Sequence, residues 1–311
     1  MAILEDMNGE FHLGNQFTLD TAKELSLLLS DQYRIIVKYQ VSTEELPRYS
    51  DDRLNVVINT SRETHDVPEE FFRDDIFIIF QHYYMLDKWG IPWYNPLVFP
   101  MPLGPFINGA IYKPLKPMHE RKYDFSFIGQ IPHTGTRDGF KRNLDNVIRE
   151  TKNKYRYFVE YTDSYGTGLS HNEYLDLLND SMMVLCPQGA HSLETFRFFE
   201  TLTMGAIPVI EQLPRLWYYE RATYCQNLWY NLDTTLEMTI QFLKTSEEAR
   251  KNFLYSLANY ATLILNPKHL ATTLKEKIDI RHKTRYSTQS ILETIREDVK
   301  QRDQNEKLVS R

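Results

Sequence analysis

The apolar positions of this chain fall into two alternating patterns. Short, nearly continuous runs occur at Tyr33–Tyr39, Leu54–Asn59 and Asp75–Phe80. Between them, apolar residues recur at helical spacing. A strand covered by helices on both faces reads as an unbroken apolar run, so these segments predict parallel strands of an α/β domain. Asp20 stands where it would cap a helix reaching about Ser30. A second helix is predicted over 67–73, with Pro68 in its first turn, where the missing N–H is not needed.

The stretch 90–120 breaks this rhythm. Prolines at 92, 96, 100, 102, 105, 114 and 117 exclude regular structure through it, because each lacks an N–H and restricts the residue before it. Trp89, Trp93, Tyr94, Phe99 and Phe106 lie in or beside it. It reads as a packed connection between domains and a wall of the space between them.

A second α/β series follows. Strands are predicted at Tyr123–Ile128, Tyr155–Val159, Met182–Cys186 and Ile207–Ile210, with a short one at Gln226–Tyr230. Helices are predicted from Arg137 to Glu150, over 171–179 and up to Met204. Ser170 and Glu173 are spaced as a capping box, and Gly205 is placed as a C-cap. Helical patterns at 233–246, 247–264 and 271–298 complete the chain. The predicted organisation is a first Rossmann-like domain over 1–115, a second over 116–265, and C-terminal helices over 266–311 that pack back on the first domain.

Composition narrows the class. The 311 residues, with 17 Phe and 20 Tyr, can fill more than one core. The net charge of −6 argues against nucleic acid as the main partner, since phosphate neutralisation favours basic surfaces. Local arginines can still hold a small diphosphate. Cys186 and Cys225 are too few for a disulfide framework or a metal site, and Cys186 sits in an apolar run. No signal peptide is evident, and no run approaches the roughly 20 apolar residues of a membrane span. The chain reads as soluble and cytoplasmic, in keeping with a bacterial or virus-infected cell.

Ligands of open α/β sheets bind beyond the carboxyl ends of the strands, where helix N-termini favour phosphate. Three loops of the second half qualify. The first, Gly129–Arg137, brings glycines that permit close backbone approach and puts Arg137 at a helix start, either as a diphosphate ligand or facing solvent. The second is Pro187–Glu200. Glu200 shares a helical face with Leu193 and Phe196, and a buried carboxylate needs donors. Ribose hydroxyls would supply them, or Arg197 three residues back. Arg197 is also suited to bidentate phosphate contact, and His191 is a further phosphate or sugar contact. The third loop follows Glu160, where Tyr161 either helps to hold a base or belongs to an ordinary loop.

The segment Thr195-Phe196-Arg197-Phe198-Phe199-Glu200-Thr201-Leu202, then Gly205-Ala206-Ile207-Pro208-Val209-Ile210, resembles the donor-binding signature of exostosin-like glycosyltransferases. Leu185-Cys186-Pro187-Gln188-Gly189 and Phe127-Ile128-Gly129 with Arg137 are similar to neighbouring parts of that domain. The resemblance implies the GT-B fold, two Rossmann-like domains with parallel sheets facing across a cleft. It implies a nucleotide-sugar donor, UDP-linked, such as UDP-xylose or UDP-glucuronate, bound by Gly129, Arg137, Tyr161, Gly189, His191, Thr195, Arg197 and Glu200. Glu200 would meet the ribose, and the arginines the diphosphate.

The acceptor, a glycan hydroxyl, is expected in the first half, with His82, Tyr83 and Trp93 as contacts. Core packing explains these aromatics equally well. If transfer inverts the anomeric centre, a base is required. Asp66, Glu63, His65 and Asp87 follow strand ends, although Asp66 also stands where it would cap the next helix. No Asp-x-Asp triplet occurs, so no protein metal site is expected. Mg²⁺ or Mn²⁺ would be held by the donor diphosphate. The competing class is a non-catalytic carbohydrate-binding or scaffold protein on the same fold.

Overall fold

The computed structural model describes residues 1–7, 16–39, 46–60, 71–83, 97–106, 114–131, 135–164, 167–189, 194–210, 215–219, 232–245 and 247–284. Two separate, wholly parallel sheets organise these residues, so the α/β class read from the sequence holds.

The first sheet runs in sequence order: β1 (Ile3–Asp6), β2 (Tyr33–Tyr39), β3 (Leu54–Thr60), β4 (Ile76–Gln81) and β5 (Val98–Pro100). Its three inner strands are the three apolar runs. The edge strands β1 and β5 were not expected, because four and three residues are too few to show a period. Pro100 is tolerated because an edge strand leaves one side of its ladder unused.

Side chains alternate across the sheet. Ile35, Val37, Val56, Ile58, Ile78 and Phe80 pack with α1 (Gln16–Leu28) and α7 (Pro267–Thr284). Ile36, Val57 and Ile79 belong to the opposite cluster, with Leu46, Phe71 and Leu97. Helix α1 starts four residues before Asp20. Burial of Phe17 and Thr18 recruits that extra turn, and Asp20 accepts from Gln16 and Lys23 inside the helix instead of capping it.

The second sheet contains β6 (Tyr123–Gln130), β7 (Tyr157–Thr162), β8 (Ser181–Cys186) and β9 (Ile207–Ile210), in the order β7-β6-β8-β9. The chain winds outward to β7 through α2 (Gly135–Thr151). It returns past β6 to β8 through α3 (His171–Asn179), then reaches β9 through α4 (Phe196–Thr203). Right-handed crossovers therefore place α2 on one face and α3 and α4 on the other. Strand β7 starts two residues late, because Tyr155 is drawn aside to donate to Asp233 at 2.5 Å.

Two local signals act as read. Ser170 and Glu173 form the reciprocal capping box of α3. Gly205, at φ +61°, ends α4 in a Schellman arrangement: Ala206 N–H bonds Thr201 O and Gly205 N–H bonds Leu202 O.

Helices α5 (Leu232–Thr245) and α6 (Glu247–Leu265) follow, and α7 then lies along α1 with Leu270, Leu274 and Ile278 in its cluster. Trp217 adds a second tie between the halves by donating to Pro100 O at 2.9 Å. The strand predicted at 226–230, most of the helix at 67–73 and the stretch 285–298 lie outside the described residues. No helix among the described residues is long and apolar enough to cross a membrane.

Candidate functional site

Strand order reverses between β6 and β8. One chain leaves this pair to each side, so their carboxyl ends open a crevice of the kind that holds ligands in α/β sheets. These strand ends and the loops and helices that follow them carry most of the donor-binding residues singled out above.

Arg137 lies in the first turn of α2, where the helix field opposes a cation. Two carbonyls offset this. Its Nε donates to Gln188 O at 3.0 Å, beyond β8, and its Nη1 to Gln130 O at 2.8 Å, at the end of β6. Arg137 thus bridges the reversal and does not extend into solvent. It belongs to the crevice wall with or without an anion.

Arg197, in the first turn of α4, reaches the same strand end. Its Nη2 donates to Ile128 O at 2.6 Å, and the guanidinium lies 4.9 Å from the Phe127 ring centre. Its Nε is buried without a hydrogen-bond partner among the described residues. Gly129 makes this possible: a Cβ there would stand 2.5 Å from Nη2. Two guanidiniums are therefore fixed beside the reversal, at the carboxyl ends of β6 and β8.

Glu200 is one turn further along α4 and buried. Its donors come from within the protein. Tyr174 of α3 donates to Oε2 at 2.7 Å, and the Phe106 N–H supplies another bond. Burial pushes its carboxyl up to about 7, against the lowering effects of Tyr174, nearby Arg197 and Phe106. The expectation that a carboxylate on this face needs donors holds. The alternative direct pair with Arg197 does not form among the described ion pairs. Tyr174 escaped the sequence reading because nothing local links it to a residue 26 positions away. Glu194 escaped it too: this buried carboxylate before α4 accepts from Tyr218 at 2.8 Å.

The remaining residues are placed as follows. Thr195 occupies the N-cap position of α4 without a side-chain cap bond, and Gly189 is buried in the loop after β8. Tyr161 donates its hydroxyl to Asp145 of α2 at 2.7 Å, with Lys141 over its ring. This ties it to α2. His82 is not brought to the crevice. It is buried with Nε2 3.3 Å from Thr18 Oγ1 on α1, and desolvation alone pushes it down to about 3, so it is neutral. Tyr83 turns the other way and sets its ring perpendicular to Phe196 at the start of α4. Phe106 meets Phe196 and His171. Asp66, Glu63, His65, Asp87, Trp93 and His191 lie outside the described residues.

Two parallel α/β sheets and a cationic crevice at a strand-order reversal fit the class of glycosyltransferases, and the comparison with known families agrees. Residues 111–284 match the family described as RXYLT1 C-terminal domain, a xylosyltransferase-like family; this is more than half of the chain, and the chain belongs to that family. Among curated proteins nothing matches. Three solved structures are loosely similar. One is an α-glucosyltransferase in complex with UDP and a 13-mer DNA containing a central A:G mismatch. It shares 11% identity at TM-score 0.41, over 90% of this chain and 99% of that one. An α1,3-fucosyltransferase shares 12% identity at TM-score 0.41, over 79% and 78%. TarM shares 10% at TM-score 0.38, over 89% and 57%.

Proposed function

We propose that this chain is a GT-B glycosyltransferase of exostosin-like character that moves a sugar from a UDP-linked donor, such as UDP-xylose or UDP-glucuronate, to a glycan hydroxyl. The observation that carries the reading is the pair Arg137 and Arg197, held on strand-end carbonyls at the β6–β8 reversal. As the C1–O bond to the diphosphate breaks, negative charge grows on the leaving group. Guanidiniums already fixed in place stabilise it without reorganising.

The second sheet holds the donor in this reading, and the first holds the acceptor. Glu200 reaches the ribose with lone pairs beyond those taken by Tyr174 and Phe106. If transfer inverts the anomeric centre, the acceptor proton goes to a base following the first sheet's strands, for which Asp66 leads and Glu63, His65 and Asp87 follow. Among the described residues no three His, Cys, Asp or Glu side chains gather as a metal site. In this reading Mg²⁺ or Mn²⁺ is carried by the donor's phosphates. Thermal shift with a panel of UDP- and GDP-sugars tests the proposal, since a ligand specific to the native state raises its stability. A UDP-sugar should give the largest shift, and no shift with any donor overturns the reading.

One observation favours a second reading, a carbohydrate-binding protein without turnover: Arg137 and Glu200 are already engaged by the protein itself. Release of UDP from a bound UDP-sugar separates the two readings.

A further inference from the structure

Phe196 is the first residue of α4, and that helix begins without a side-chain cap. Thr195 stands at the N-cap position, but its hydroxyl makes no cap bond. A helix start lacking that bond frays more readily. One backbone bond, from the Phe198 N–H to Thr195 O at 3.2 Å, closes the turn. Two rings pack against it. Tyr83 meets Phe196 edge-on at 6.3 Å between ring centres, and Phe106 meets it at 5.9 Å. Tyr83 comes from beyond β4 of the first sheet, and Phe106 from the connection between the sheets. The start of a helix in the second half is therefore gripped from outside that half. Phe106 also holds α4 one turn further on, where its N–H bonds Glu200.

Tyr83 is the anomaly. It is buried, at 4% exposure, and its φ is +49°. Asn153 is the other non-glycine residue with positive φ among the described residues, and asparagine tolerates that conformation. Tyrosine adopts it at a cost, which persists only where the surrounding structure holds it. A glycine would relieve the backbone but bring no ring to Phe196. The contact has a functional neighbour in Arg197, the next residue. The Arg197 side chain makes a single hydrogen bond among the described residues, from Nη2 to Ile128 O, and its Nε has no partner there. A guanidinium has five N–H donors, and one bond does not fix so large a fork. The place of Arg197 therefore depends on the place of the first turn of α4.

We propose that Tyr83 is a positioning residue for sugar transfer: through Phe196 it holds the first turn of α4, and with it Arg197, at the donor diphosphate. Phe106 is the second jaw of the same grip. The inference rests on the transferase reading and gives the first half a part in holding the donor. A guanidinium held by packing is already in place as charge grows on the leaving group. One carried on a frayed turn must be ordered first, at the expense of affinity.

The test uses the full chain, labelled with ¹⁵N at arginine, with UDP as the probe. The Arg197 Nε–Hε resonance is assigned by its absence from Arg197→Ala. Tyr83→Leu keeps an apolar side chain and removes the ring. It should shift or broaden this resonance and weaken UDP binding about tenfold in calorimetric titration. Tyr83→Phe keeps the ring and should match the parent in both. If Tyr83→Leu does not fold, Phe106→Leu takes its place, at a half-buried position whose N–H to Glu200 is retained. In the Arg197→Ala background the same leucine substitution should change UDP affinity less than about twofold, because a residue acting through Arg197 has nothing left to position. The proposal is overturned if folded Tyr83→Leu, or in its absence Phe106→Leu, leaves the resonance or the affinity as in the parent. It is equally overturned if Tyr83→Phe behaves as Tyr83→Leu does, or if the loss of affinity persists in full without Arg197. If the parent protein binds no UDP, the transferase reading fails first and this inference falls with it.

Discussion

Tyr83 meets Phe196 edge-on, with ring centroids 6.3 Å apart and planes at 89°. Tyr83 follows the last residue of β4 in the first sheet, and Phe196 opens α4 after β8 in the second. Tyr83 also holds a φ of +49°. That conformation costs a non-glycine residue about 1–3 kcal/mol and persists only where surrounding packing demands it. Through this contact the carboxyl edges of the two sheets adjoin, and Arg197 and Glu200 follow Phe196 directly on α4.

Arg197→Ala should remove sugar transfer while leaving the fold intact. Loss of a fixed donor to a developing anion costs about 10²–10³-fold in turnover in comparable sites. Steady-state rates with the best donor, alongside circular dichroism, check this. A variant with normal turnover removes Arg197 from the mechanism.

Gly129→Ala should act on the same arginine from the other side. The added methyl would stand 2.5 Å from Nη2, so the guanidinium must leave its place on Ile128 O. The atom met is the far end of a flexible side chain, so the shift itself is cheap; loss of the bond to Ile128 O should cost about 1 kcal/mol of stability, and UDP affinity should fall about tenfold, equivalent to about 1.4 kcal/mol. Calorimetric titration reads the affinity and urea unfolding the stability. If both match the parent protein, Arg197 is not constrained by this glycine.

Glu200 makes stability depend on pH in a defined direction. Burial raises its folded-state pKa to about 7, from an ordinary value of 4.5. The folded protein therefore holds this proton more tightly than the unfolded chain does. The resulting stability is full below 4.5 and is lost as pH rises through 7. Glu200→Gln removes the dependence, so its stability relative to the parent should improve from pH 5 to pH 8. Urea midpoints across that range measure it; a difference that stays flat contradicts the assignment.

His82 predicts the opposite slope. Its folded-state pKa lies near 3, below the ordinary 6.5, because burial disfavours the imidazolium. Its contribution is complete above 6.5 and lost as pH falls toward 3. His82→Gln should retain more of its neutral-pH stability at pH 5 than the parent does, as read by thermal melts at the two pH values. If acidification destabilises both proteins equally, His82 is not held neutral in the fold.

Much of the architecture was legible in the chain itself. The apolar runs at Leu54–Asn59 and Asp75–Phe80 marked buried parallel strands, and the Ser170–Glu173 box and Gly205 marked helix ends. Each of these is a local signal, set by period or by the chemistry of a few adjacent residues. For the same reason Arg137, Arg197 and Glu200 could be picked out beside strand ends. Their partners could not. Tyr174 for Glu200, Gln188 O for Arg137 and Ile128 O for Arg197 are separated from them by 26, 51 and 69 positions. The β6–β8 reversal depends on which strands pair, and His82 and Tyr83 part toward opposite sides through one positive φ. The Arg197 Nε, unpaired among the described residues, emerges only when every neighbour has been placed, because a missing hydrogen bond belongs to the assembled fold and to no segment of it.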